Sequence, residues 1–263
     1  KFKKQVEDIL IFRTTADLGS APTESADGDD AWSGDNAKVG SYTTIKDYLE
    51  RNKERHVNKI YYCTDEVNQA TYVDLLKKQG LEVLFMDTFI DTHFVPFLER
   101  EYSDVKFSRV DSDLDDTLID KDQAAEIVDP KTNQTRSEGI KQLFEKALNK
   151  PRVTIRTEAL KSDNAQSAPP AMVLLPESAR RMQEMMAMMQ QQTMQFPEEH
   201  TLLVNTSHPL IQKLMTISGG SIVQTEGHSP SGELANQICE YVYDLALMAQ
   251  KGFDAEGMKS FTE

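Results

Sequence analysis

Between residues 59 and 110, three short β-branched and aromatic runs alternate with two helix-like stretches of about a dozen residues each. The runs are KIYYCT (59–64), LEVLFM (81–86) and VKFSRV (105–110). Two parallel strands need a crossover of that length between them, so the alternation predicts βαβ units and a small three-stranded parallel sheet. Helical spacing supports it locally. TTIKDYLERNK offers Thr43 or Thr44 as a cap before Ile45, Tyr48 and Leu49. Thr64 is placed to cap the next helix, with Asp65 and Glu66 in its positive first turn and Gly80 at its end. FIDTHFVPFLEREY supplies a third helix, with Pro96 awkwardly near its first turns.

Ligands on parallel sheets bind at the carboxyl ends of the strands. Those ends read CTDEVNQ and MDTFIDT, with none of the glycines that let a backbone close around phosphate. The module therefore reads as scaffold, with a small enzyme site near Asp65 or Asp87 as the weaker alternative.

The second half has a different texture. SEGIKQLFEKALNK is an amphipathic helix with Ser137 as its expected cap; RVTIRT, AMVLLP and TLLVNT read as strands. Thr206 or Ser207 is placed to cap a short helix in TSHPLIQKL. The last long helix, residues 233–251, carries Leu234, Ile238, Tyr241, Leu245 and Met248 as one stripe, with Ala235, Cys239, Val242 and Ala246 as its neighbour. A stripe that wide covers two surfaces. Gly252 ends the helix and Asp254 can cap a shorter one, giving a terminal helical hairpin that suggests a four-helix interface with a second copy; the alternative is that both faces are buried within one chain. The expected layout is a helix end and polar linker over 1–40, a small α/β subdomain over 41–112 and a mixed α+β dimerisation domain over 113–263.

A net charge of −14 on 263 residues argues against nucleic acid as a partner. No apolar run approaches the ~18 residues of a bilayer span. The chain opens in mid-pattern at Lys1, as an excised piece would. Cys63 and Cys239 lie far apart inside apolar runs and five histidines are scattered, which fits buried thiols in the cytoplasm better than a metal site. Hydrolase, zinc-protease and Walker-type motifs are absent from the sequence. The acidic run DSDLDDTLIDKD lacks the central Gly of a calcium loop, and His208 beside a helix start reads as a cap or packing residue.

Six of the eleven methionines fall within residues 177–196, ESARRMQEMMAMMQQQTMQF. Met182, Met185, Met186 and Met189 share one helical stripe, which Phe196 extends. Methionine specifies core packing poorly and adapts well to varied partners, so the stripe suits either a core or an adaptable binding surface.

Several motifs carry a family resemblance. Tyr48, Ile60–Tyr62, Gly80, Glu82–Leu84, Ile90 and Asp91 match a pattern in the middle region of the ninety-kilodalton heat-shock chaperones. NTSHPLIQKL resembles that family's NPDHPLIKKL, and VYDLALMAQKG resembles its terminal dimer helices. The chain departs from the family at HVN before IYY, at NTSHP, and in the longer polar stretches 17–40 and 120–136.

The resemblance implies the end of a middle domain plus the C-terminal dimerisation domain of a bacterial-type chaperone, an expectation that the KSFTE ending favours. It implies a homodimer, with Leu234, Ile238, Tyr241, Leu245 and Met248 at the interface. It also implies that Met182, Met185, Met186, Met189 and Phe196 meet non-native client proteins. ATP and magnesium would belong to the full-length parent, leaving this piece without a cofactor or catalytic residues of its own. A purely structural dimerisation module with internal methionines is the competing reading.

Overall fold

The computed structural model describes residues 10–18, 41–112, 114, 116–120, 127–129, 134–161, 168–176, 179, 182, 199–219 and 230–251. Its contacts divide into two compact units: Lys1–Glu66 with Gly80–Val110, and Val67–Gln79 with Asp111–Glu263.

The first unit is built on a five-stranded mixed sheet. Its strands are β1 (Phe12–Thr14), β2 (Ser41–Thr43), β3 (Lys59–Cys63), β4 (Val83–Phe85) and β5 (Lys106–Arg109), in the order β2-β1-β4-β3-β5. The expected parallel strands are present: β3 runs parallel to both β4 and β5, with Tyr62 opposite Leu84 and Tyr61 opposite Ser108. The expectation of a three-stranded sheet is corrected by β1 and β2, which add an antiparallel edge. Each is only three residues long, too short for alternation to declare itself. β1 adjoins a run that reads as a helix end, and Thr43 closes β2 while Thr44 caps α1 (Ile45–Asn52) by accepting from the Asp47 N–H.

Helix α2 (Ala70–Lys78) crosses from β3 to β4 in sequence yet belongs to the second unit. Thr64 does not cap it. The helix begins later, after Gln69, which makes no side-chain cap bond, and a turn fills the gap. Gly80 ends the segment at φ +69°, a backbone state that an L side chain enters only with strain. Helix α3 (Phe89–Glu101) opens with a capping box between Thr88 and Asp91 and contains Pro96 in its interior.

Glu82 closes the first unit. Its carboxylate, 7% exposed, accepts from Thr14 Oγ1 at 2.7 Å, Asn52 Nδ2 at 2.6 Å, and Arg51 through Nη2 at 2.8 Å and Nε at 3.3 Å. Its backbone carbonyl accepts from the fully buried Tyr48 hydroxyl at 2.8 Å. Strand, helix and the segment leading into β4 thus converge on one residue.

The second unit places α4 (Arg136–Leu148), α5 (Pro209–Gly219) and α6 (Pro230–Lys251) with a three-stranded sheet of β8 (Val153–Glu158), β9 (Ala171–Leu174) and β10 (His200–Asn205). A short ribbon of β6 (Ile127–Asp129) and β7 (Gln134–Thr135) precedes α4. In the sheet, β10 is central, parallel to β8 and antiparallel to β9. All three predicted strands appear. Alternate residues Ile155, Val173, Leu202 and Val204 share one core with Phe144 and Cys239. The cap of α4 is Thr135 rather than Ser137: Thr135 and Glu138 form a reciprocal capping box, and Asn149 ends the helix at φ 46°. The expected short helix after Gly252 lies outside the described residues.

Replacing Glu82 with Ala leaves Asn52, Thr14 and Arg51 facing a gap, and should destabilise the first unit by roughly 3 kcal/mol. Urea unfolding followed by tyrosine fluorescence would measure it. Thr135→Ala should cost about 1 kcal/mol in the second unit, read from its denaturation midpoint.

Candidate interaction surface

Helix α6 has two apolar faces, and the structure separates them. Ala235, Cys239, Val242, Tyr243 and Ala246 are buried in the core of the second unit. The opposite stripe stays at the surface: Leu234 is 48% exposed, Tyr241 49% and Leu245 48%, with Ile238 partly buried against the core. These four residues follow steps of four, three and four, the spacing of a helix seam that meets another helix. Met248, the fifth residue of the expected stripe, is already buried within the chain.

Of the methionine stripe, only Met182 is described; it is helical and 53% exposed. Met185, Met186, Met189 and Phe196 lie outside the described residues.

Of the candidates Thr206, Ser207 and His208, it is His208 that caps α5. Its Nδ1 accepts from the Leu210 N–H at 3.2 Å and its carbonyl from the Gln212 N–H at 3.0 Å. Asn205 sets this turn: its side-chain oxygen accepts from the N–H groups of Leu160 and Ser207, and its amide donates to the Pro169 carbonyl. Burial lowers the pKa of His208. A cleft lined by Thr71, Asp74, Lys78, Pro169, Pro170 and His208 opens beside it.

At the strand ends of the first unit, Glu66 and Asp87 pair with Arg13. Arg13 Nη2 lies 2.8 Å from Glu66 Oε2 and 3.2 Å from Asp87 Oδ2, and its guanidinium sits 3.8 Å over the Phe85 ring. The hydrogen bond to Glu66 leads in raising the Arg13 pKa. Both thiols are buried and free of disulfides; burial pushes Cys239 up to about 12. Among the described residues no group of three His, Cys, Asp or Glu is placed to hold a metal, and no helix is long and apolar enough to cross a membrane.

The family model described as Hsp90 protein matches residues 34–263. The chain belongs to the Hsp90 family. Its curated relatives include the chaperone protein HtpG of Bacteroides fragilis strain YCH46, 30% identical over 186 residues, which cover 67% of this chain and 26% of that protein. HtpG of Porphyromonas gingivalis is 30% identical over 179 residues, 66% of this chain and 25% of the relative. HtpG of Psychrobacter arcticus is 26% identical over 218 residues, 81% and 30% respectively. The chain therefore spans about a quarter to a third of the length of these relatives. His208, Pro209 and Ile211, which carried part of the resemblance, prove to be the cap, first residue and core anchor of α5. The sequence offers His208 as a cap or packing residue next to Thr206 and Ser207, and a histidine caps only as the neutral tautomer with Nδ1 free to accept.

That tautomer gives a pH dependence. The folded pKa is lowered, so the stabilisation is complete above the ordinary imidazole value of about 6.5 and is lost as pH falls below it. Asn accepts at a cap in either pH range, so His208→Asn should flatten this acid-side loss in thermal melts recorded as a function of pH. Cys63 and Cys239 should resist Ellman's reagent in the folded protein and react once denaturant is added.

Proposed function

We propose that this chain is the dimer-forming C-terminal part of an HtpG-type chaperone, together with the end of its middle domain. The observation that carries the reading is the exposed seam of Leu234, Ile238, Tyr241 and Leu245 on a helix whose other face is fully used. Leaving three large apolar side chains nearly half in water is costly unless a partner covers them. A second copy of α6 offers the same spacing and is self-complementary under a two-fold axis. A standard interface hides about 800 Å² on each partner, more than four side chains present, so the paired α6 helices form its centre rather than its whole extent.

Met182, Met185, Met186, Met189 and Phe196 form the client-facing surface in this reading, taking non-native proteins through adaptable apolar contacts. The 53% exposure of Met182 at the start of that stretch supports it. The whole protein would be a cytoplasmic, ATP- and magnesium-dependent chaperone, with the nucleotide held in regions beyond this chain. Of the two carboxylates in the weaker enzyme reading, Asp65 and Asp87, Asp87 is paired with Arg13.

Leu245→Glu should convert a dimer into a folded monomer in sedimentation equilibrium at micromolar concentration; a wild-type chain that is monomeric there would refute the interface. Met185→Ser with Met189→Ser should weaken capture of a labelled non-native protein while leaving the dimer intact. Unchanged capture would favour the structural module with internal methionines.

A further inference from the structure

Helix α6 ends its buried face on a polar side chain. Ala235, Cys239, Val242 and Ala246 advance by steps of four, three and four, and Gln250 continues the row by another four. It is 8% exposed, and its Nε2 donates to Asp111 Oδ2 at 2.6 Å. Asp111 is fully buried; the same oxygen accepts from Gln69 Nε2 at 3.1 Å, and its carbonyl accepts from the Leu175 N–H at 3.0 Å. Gln250 Oε1 is buried with no hydrogen-bond partner among the described residues. A Gln here gains one bond and leaves one acceptor unanswered, so simple stability does not explain its presence at the end of an apolar row.

We infer that Gln250 and Asp111 are positioning residues for dimerisation, fixing the rotational phase of α6 so that its outer seam faces a second copy. The inference rests on the dimer interface proposed above. The inner face of α6 is compact at Ala235, Cys239, Val242 and Ala246; Tyr243, whose hydroxyl lies 3.1 Å from His200 Nε2, gives it one polar contact, and Gln250 gives a second about two turns further on. A slip of one residue turns a helix by about 100° and would carry Leu234, Tyr241 and Leu245 away from the two-fold axis. A single buried polar contact fixes register where apolar packing does not, as a buried Asn does in coiled coils. Asp111 suits this role because Gln69 and the Leu175 N–H hold it in place independently of α6.

The test is Gln250→Met in the whole chain, a swap that keeps length and helix propensity and removes the unanswered acceptor. The expected result is a somewhat lower thermal midpoint, because the buried Asp111 loses one of its two amide donors, and a dimer dissociation constant raised about tenfold, equivalent to 1.4 kcal/mol, at a temperature where the chain is fully folded. Gln250→Glu sets a second carboxylate against Asp111 and should weaken the dimer more at neutral pH than at pH 5. An unchanged dissociation constant in both variants overturns the inference. So does a weakening that only tracks loss of folded protein in circular dichroism at the same concentration. Leu245→Glu, measured alongside, separates the two levels: if it leaves the dimer intact, the interface itself is wrong, whatever the Gln250 variants do.

Discussion

A carboxylate taken out of water must be answered atom by atom, and each unit of this protein is organised around one that is. Glu82 collects donors from β1 and α1 at the entrance to β4, while Asp111 collects the amides of Gln69 and Gln250. Apolar burial drives collapse in both units without specifying which element meets which. The carboxylates make that choice, because a misplaced strand or helix would leave a charge without its donors. Tyr48 has the same logic on a smaller scale. Its hydroxyl donates to the Glu82 carbonyl and accepts from the Tyr61 N–H, and burial holds its proton on.

Much of this was legible from residues alone, and the failures share a cause. The predicted strands β3, β4, β5, β8, β9 and β10 each overlap a run of six residues rich in apolar, β-branched or aromatic side chains, β4 within residues 81–86 although it is itself three residues long. β1 and β2 are three residues each, and they exist through pairing with partners distant in sequence. The cap errors were local and chemical. Thr64 and Ser137 have the right side chains for capping, but Thr135 has its Glu three residues on, and the turn after Thr64 is shaped where Glu66 meets Arg13.

The candidate surface shows a second limit. The width of the α6 stripe implied two faces but not which residues belong to each. Packing decided: Met248 went inward, Ile238 became a boundary residue, and Leu234, Tyr241 and Leu245 stayed out. The methionine stretch is legible as composition, and a composition fits both a core and a surface; only the exposure of individual side chains distinguishes them.

Helix α2 has a consequence for how this chain can be divided. The polypeptide passes between its two units after Glu66, after Gln79 and after Val110, so the first unit is not one continuous stretch. The loop that joins β3 to β4 surrenders Tyr72, Leu75 and Leu76 to the other unit, where the Tyr72 hydroxyl donates to the Val173 carbonyl. A ribosome that has finished residue 110 has made all the strands of the first sheet and an apolar helix with nowhere to go. That helix's contact with β9 comes from residues about ninety positions downstream of it. A chain built this way completes its first sheet before all the partners of its crossing helix exist.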